Sequence, residues 1–101
     1  MGEKVREIKF YTWFKRERDS AAEGKYLILQ TRPLFVTNGL SADIRFDKMK
    51  LTSVDDKPIY NVEGTFSVSQ KDFERYGKTR EILTNALRTV LGAKLLYCSV
   101  V

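Results

Sequence analysis

A chain of 101 residues with 43% apolar side chains can fill one packed core and carries too much apolar surface for disorder by default, so residues 1–101 read as a single domain. Its 18 Lys and Arg against 13 Asp and Glu give a net charge of +5, which inclines it toward polyanions without requiring one. Histidine is absent and Cys98 is the lone cysteine, which excludes imidazole relays, Ser/His triads, the commonest zinc sites and an internal disulfide.

The start, MGEKVREIKF, lacks the apolar block of a secretion signal, and Arg6 stands where a myristoylation signal beginning Met1-Gly2 wants Ser or Thr. No apolar run reaches the length of about eighteen residues that a membrane span needs. The expectation is a cytoplasmic chain without a membrane partner. Val5–Phe14, VREIKFYTWF, then alternates as a strand. Ile8, Phe10 and Phe14 share one face, and Lys9, Tyr11, Trp13 and Lys15 share the other.

Lys15–Lys25, KRERDSAAEGK, is polar and mixed in charge and reads as an exposed hairpin loop. It leads to a second strand at Lys25–Thr31, KYLILQT, which would place Tyr26 beside Tyr11 and Trp13 until Arg32-Pro33 interrupts it. Asn38-Gly39 between Leu34–Thr37 and Leu40–Phe46 predicts a tight type I′ hairpin. Register is lost near Asp47-Lys48, which predicts a bulge, and Asp55-Asp56-Lys57-Pro58 predicts a turn. Ile59–Val68 returns as a strand with Tyr60, Val62, Phe66 and Val68 on one face and a bend at Gly64.

Ser69–Gly92 is the segment with sustained helical periodicity. Phe73, Tyr76, Leu83, Ala86, Leu87, Val90 and Leu91 fall on one side, with Lys71, Glu74, Arg75, Lys78, Glu81 and Arg88 mostly opposite. Ser69 suits the N-cap and Gly92 the C-terminal position. Lys94–Val101, KLLYCSVV, is an apolar final strand that must pair within the protomer or with a second copy, and Cys98 reads as a core residue of it. The expected fold is α+β: a curved antiparallel sheet of about five or six strands, one long amphipathic helix (about 70–91) on one face, and a C-terminal strand after it. At the level of topology alone this order resembles sheet-and-helix proteins that bind single strands.

The far face of the first strand carries the functional reading. Rings beside ammonium groups suit single-stranded nucleic acid, whose bases stack while its phosphates meet the cations. On that reading the chain is a small basic non-enzymatic binder of single-stranded DNA or RNA. Tyr11, Trp13 and Tyr26 stack bases, and Lys9, Lys15, Arg16, Arg18 and Arg32 neutralise phosphates. Aromatics in a buried or dimeric setting fit the same residues. The alternative is a protein-binding, assembly or inhibitory accessory module of the kind phages and mobile elements encode, with the aromatic face or the last strand making a homo-oligomer.

Catalysis finds little footing. No phosphate loop of the GxxxxGK type occurs. Glu23-Gly24-Lys25 and Asp55-Asp56-Lys57 have the acid-x-Lys spacing of metal-dependent nucleases but fall in predicted turns. Lys71, Arg75 and Lys78 follow one helix face, yet Glu74 and Glu81 interleave with them as on a solvated surface. The expectation is no catalytic residue, no metal and no cofactor.

Overall fold

Burial along strand β1, Val5–Lys15, follows the alternation of its sequence. Ile8, Phe10, Thr12 and Phe14 are buried, while Lys9, Tyr11, Trp13 and Lys15 are exposed. The computed structural model in which this is seen describes residues 4–101; residues 1–3, where the myristoylation-like start falls, lie outside the described residues.

Among the described residues the order is β1, helix α1 (Ser20–Thr37), strands β2 (Ala42–Val54) and β3 (Lys57–Ser69), helices α2 (Gln70–Glu74) and α3 (Tyr76–Leu91), a 3-10 turn (Gly92–Lys94) and strand β4 (Leu95–Val100). The strands lie in the order β2-β3-β1-β4 with every neighbour antiparallel. This β-α-β-β-α-β succession is the ferredoxin-like arrangement, in which both crossover helices cover one face of the sheet and leave the other open.

The covered face is the core. Phe10 and Phe66 meet at 4.6 Å between ring centroids, and Phe35 of α1 packs edge-on to Phe66 at 5.9 Å, so α1 is fastened to the middle of the sheet. Leu27 from α1, Leu83, Leu87 and Leu91 from α3, and Phe14 and Val62 from the sheet complete it, all at most 2% exposed. Each such side chain contributes about 1.5–3 kcal/mol relative to leaving it in water.

Much of the expected β-structure between β1 and β2 is helix instead. The loop read at Lys15–Lys25, the strand at Lys25–Thr31 and the first arm of the Asn38-Gly39 hairpin are together α1. Asp19 caps it, its side chain accepting from the Ala22 amide at 2.9 Å. Its buried residues, Glu23, Gly24, Leu27, Thr31 and Phe35, recur about every fourth position, but two are small or hydroxylic and one is charged, so the stripe is not apolar. Pro33 has no N–H for the Leu29 carbonyl, and both residues lie on the exposed side, where water can meet it. Asn38 then closes the helix, donating from its side chain and its amide to the Leu34 carbonyl, and Gly39 follows at φ 70°.

The sheet accordingly has four strands where five or six were expected, and more than one helix covers it. The segment expected as one helix over 70–91 breaks at Arg75, whose φ −103° and ψ 49° are not helical. Asp72 explains the break. Buried at 4% exposure, its carboxylate accepts from the Ser41 amide at 3.0 Å and from Arg75 at 3.2 Å, tying the first turn to the start of β2. Ser69 caps α2 through the Asp72 amide, Gly92 ends α3 at φ 54°, and Phe46 and Lys48 flank a bulge at Asp47, as the sequence suggested; the last strand joins the sheet as expected, and its partner, which the sequence left open, is β1.

Candidate nucleic-acid interface

The uncovered face is built by the other half of each strand's alternation. β1 contributes Glu7, Lys9, Tyr11, Trp13 and Lys15. Its register with β3 sets Thr65 beside Lys9, Glu63 beside Tyr11 and Asn61 beside Trp13, and its register with β4 sets Ser99 beside Tyr11 and Tyr97 beside Trp13. Beyond β3, β2 adds Arg45 opposite Thr65, Lys48 opposite Glu63 and Lys50 opposite Asn61. The result is an aromatic half at β1 and β4 and a charged half at β2.

Tyr11, Trp13 and Tyr97 are 37%, 41% and 50% exposed, and no helix lies over them. Trp13 and Tyr97 meet edge to face, 6.2 Å between centroids at 65°, a geometry that leaves ring surface open to a further planar group. Tyr97 was not among the expected binding residues. Its alternation with Ser99 was readable, but which strand stood beside Trp13 was not.

The charged half is organised by Asp47, which the bulge turns onto this face. It accepts from the Thr65 hydroxyl at 2.6 Å, Arg45 Nε at 3.0 Å and Lys9 Nζ at 3.4 Å. The Thr65 hydrogen bond first, then Arg45 and Lys9, hold its carboxyl down at about 2. Arg45 also reaches Glu7 at 3.0 Å, and Lys48 reaches Glu63 at 3.6 Å. Lys9 and Arg45 are therefore partly spent on carboxylates, whereas Lys15 and Lys50 take no ion pair among the described residues.

The remaining expected site residues lie elsewhere. Tyr26 stands on α1, behind the sheet, with the Arg18 guanidinium 3.7 Å over its ring, so it does not extend the Tyr11 and Trp13 surface. Arg18 is also held by Glu23, fully buried, at 3.1 Å, and Arg16 donates from Nε to the Arg18 carbonyl at 3.3 Å, so both belong to the ordered link between β1 and α1. Arg32 is exposed on α1, on the far side from the open face. Thus Lys9, Tyr11, Trp13 and Lys15 come together, and Arg16, Arg18, Tyr26 and Arg32 do not join them. Among the described residues no group of three or more Asp, Glu or Cys side chains converges in a way that could hold a metal ion.

No protein-family model matches the chain, and no curated protein matches it. Among solved structures it is similar to part of a protein described as an aminohydrolase from methicillin-resistant Staphylococcus aureus, at 12% identity and a TM-score of 0.51, covering 98% of this chain and 29% of that one. It is also similar to part of a dinuclear metal binding peptidase of the M20 family from Bacillus subtilis, at 15% identity and a TM-score of 0.47, covering 95% of this chain and 25% of that one. The chain thus spans under a third of the length of either protein, and at 12% identity the first likeness speaks for a common fold alone.

Proposed function

We propose that the chain binds single-stranded nucleic acid, without catalysing a reaction on it, across the open face of its sheet. The observation that carries this reading is the adjacency of Tyr11, Trp13 and Tyr97, three half-exposed rings on two neighbouring strands with no element packed over them. Four-stranded sheets of this kind take two or three unpaired bases on such rings, and each base stacked on an aromatic side chain is worth about 1–3 kcal/mol. Asn61, beside Trp13, offers an amide to a base edge, and Lys15 and Lys50 flank the same rows for phosphates.

The carboxylates on the face make a prediction about strength. With Lys9, Arg45 and Lys48 already engaged, Lys15 and Lys50 are the cations available at the outset. Neutralising two phosphates of a single strand gives a slope of about −1.4 in log K against log salt. Stacking, not charge, then supplies most of the affinity. Trp13 is the sole tryptophan, so its emission reports directly on the site. Titration with oligo-dT and oligo-U at low salt should quench it with saturation, and the Trp13→Phe protein should bind while losing the signal. Emission unchanged by either oligonucleotide would overturn the reading.

A further inference from the structure

The registers rule the open face into rows. One row runs Lys48, Glu63, Tyr11, Ser99 from β2 to β4, and the next runs Lys50, Asn61, Trp13, Tyr97. Stacking accounts for the rings but not for the acid beside Tyr11, since a carboxylate there repels the phosphates that accompany any base.

The carboxylates nearest these rings are not equivalent. Glu7 accepts from Arg45 at 3.0 Å, and Asp47 accepts from Thr65, Arg45 and Lys9 at 2.6, 3.0 and 3.4 Å. Both are held by the protein. Glu63 accepts no hydrogen bond among the described residues: Lys48 stands 3.6 Å from one of its oxygens, too far for one, and the side chain is 44% exposed. Its oxygens are free to accept. Side chains on a strand stand roughly perpendicular to the sheet, and directly opposed Cβ atoms are about 4.5–5.5 Å apart, so the Glu63 carboxylate rises beside whatever lies on the Tyr11 ring.

We infer, resting on the single-strand reading above, that Glu63 selects guanine for the base stacked on Tyr11. The Watson–Crick edge of guanine offers N1–H and an N2 amino group side by side, two donors for the two oxygens of one carboxylate. Its O6 comes next in line, for the Lys48 ammonium. Adenine and cytosine each offer one amino group beside a ring nitrogen that only accepts, and thymine and uracil offer one N–H between two carbonyls. Each of these brings a lone pair against the carboxylate, which counts against the wrong base. Trp13 makes no such choice, because the Asn61 amide beside it both donates and accepts. Thymine and uracil therefore still stack at Trp13, and guanine gains at Tyr11.

Trp13 emission on the full chain tests this, read as the midpoint of a titration because the depth of quenching varies with the base. Short oligo-dT and oligo-U are compared with the same oligonucleotides carrying one central guanine, so that the DNA and RNA arms show which polymer supplies the base. Guanine should tighten binding by about 5- to 150-fold in at least one arm, the value of one bidentate contact. Inosine in its place lacks the N2 amino group and should lose most of the gain. Glu63→Gln, at a half-exposed position, should lose most of the preference without weakening binding to oligo-dT. Emission unchanged by every oligonucleotide would remove the single-strand reading and this inference together. Saturating quenching with equal midpoints for guanine and its pyrimidine parent, inosine equal to guanine, or a preference intact in Glu63→Gln would overturn the inference and leave the single-strand reading standing.

Discussion

The ring of Phe10 lies against the backbone of Gly64, its cross-strand partner, so closely that a Cβ at position 64 would stand 2.1 Å from Phe10 Cζ and 2.7 Å from the Arg45 carbonyl oxygen. Only a residue without a side chain lets Phe10 reach Phe66 at the centre of the core. Overpacking a core costs about 1–3 kcal/mol, occasionally more. Gly64→Ala should lie at the upper end, because the backbone of β2 blocks one escape. Urea denaturation would show this as a lowered midpoint. Adding Phe10→Leu should recover part of the loss, since the smaller side chain can withdraw although the Arg45 carbonyl cannot. Additive losses in the double variant would mean that the ring does not press on position 64.

Glu23 presents the opposite problem, a fully buried carboxylate near the entry to α1. Arg18 meets it at 3.1 Å, and the Glu17 and Arg18 amides donate to its other oxygen at 3.3 Å each. Removing one partner of a buried pair typically costs about 3–5 kcal/mol, because the other is left without compensation. Arg18→Met leaves the fully buried carboxylate without its cation and should reach that range, whereas Glu23→Ala leaves Arg18, a third exposed, to be met by water and should fall below it. Thermal melts of the two variants would rank them. Equal stability to the parent in both would mean that the link between β1 and α1 is held by other contacts, such as Tyr60 Oη to the Arg18 carbonyl at 2.6 Å.

What was legible in the sequence, and what was not, divides along one physical line. Where burial falls on one face of an element and that face is apolar, as in β1 with Ile8, Phe10 and Phe14 or in α3 with Leu83, Leu87 and Leu91, period and packing agree and the element can be read directly. α1 breaks that agreement. Its buried stripe includes Glu23, Gly24 and Thr31, whereas Leu29 and Val36 are 57% and 70% exposed, so Tyr26–Leu29 imitates a strand. The misreading propagated to the site. A strand at Lys25–Thr31 paired with β1 would set Tyr26 beside Trp13 and end at Arg32, one of the expected phosphate contacts, but the position is taken by β4, which brings Tyr97 from the far end of the chain. Contacts of such sequence separation leave no local trace.

Asp47 makes a pH prediction whose sign can be worked out. Its carboxyl is held near 2, below the ordinary 3.8, chiefly by the Thr65 hydroxyl and then by Arg45. A depressed value means that the unfolded chain binds the proton more readily. The contribution to stability is therefore complete above about pH 4 and is lost as pH falls toward 2. Asp72 titrates low as well, since burial, which raises it, is outweighed by hydrogen bonds led by that from the Ser41 amide. The informative quantity is thus a difference between two proteins. Stability of the parent minus that of Asp47→Asn should be constant from pH 5 to 7 and shrink below about pH 4. A difference that grows on acidification would reverse the assignment.

The two arrangements of aromatic residues, one expected from sequence and one found in the fold, make opposite forecasts for binding. Trp13 and Tyr97 share the open face, so Trp13→Ala and Tyr97→Ala should each weaken oligonucleotide binding by about 5- to 150-fold, the loss of one stacked base. Tyr26→Leu, on the helix side under Arg18, should leave affinity unchanged even if it lowers stability. The cations divide likewise. Lys15→Gln and Lys50→Gln should each flatten the salt dependence by about 0.7 in slope, whereas Arg32→Gln on α1 should not alter it. Binding measured at two salt concentrations across these variants separates a face that reads stacked bases from a basic protein that attracts polyanions anywhere on its surface. In the second case Arg32→Gln would count as much as Lys50→Gln, and Tyr97→Ala would count for nothing.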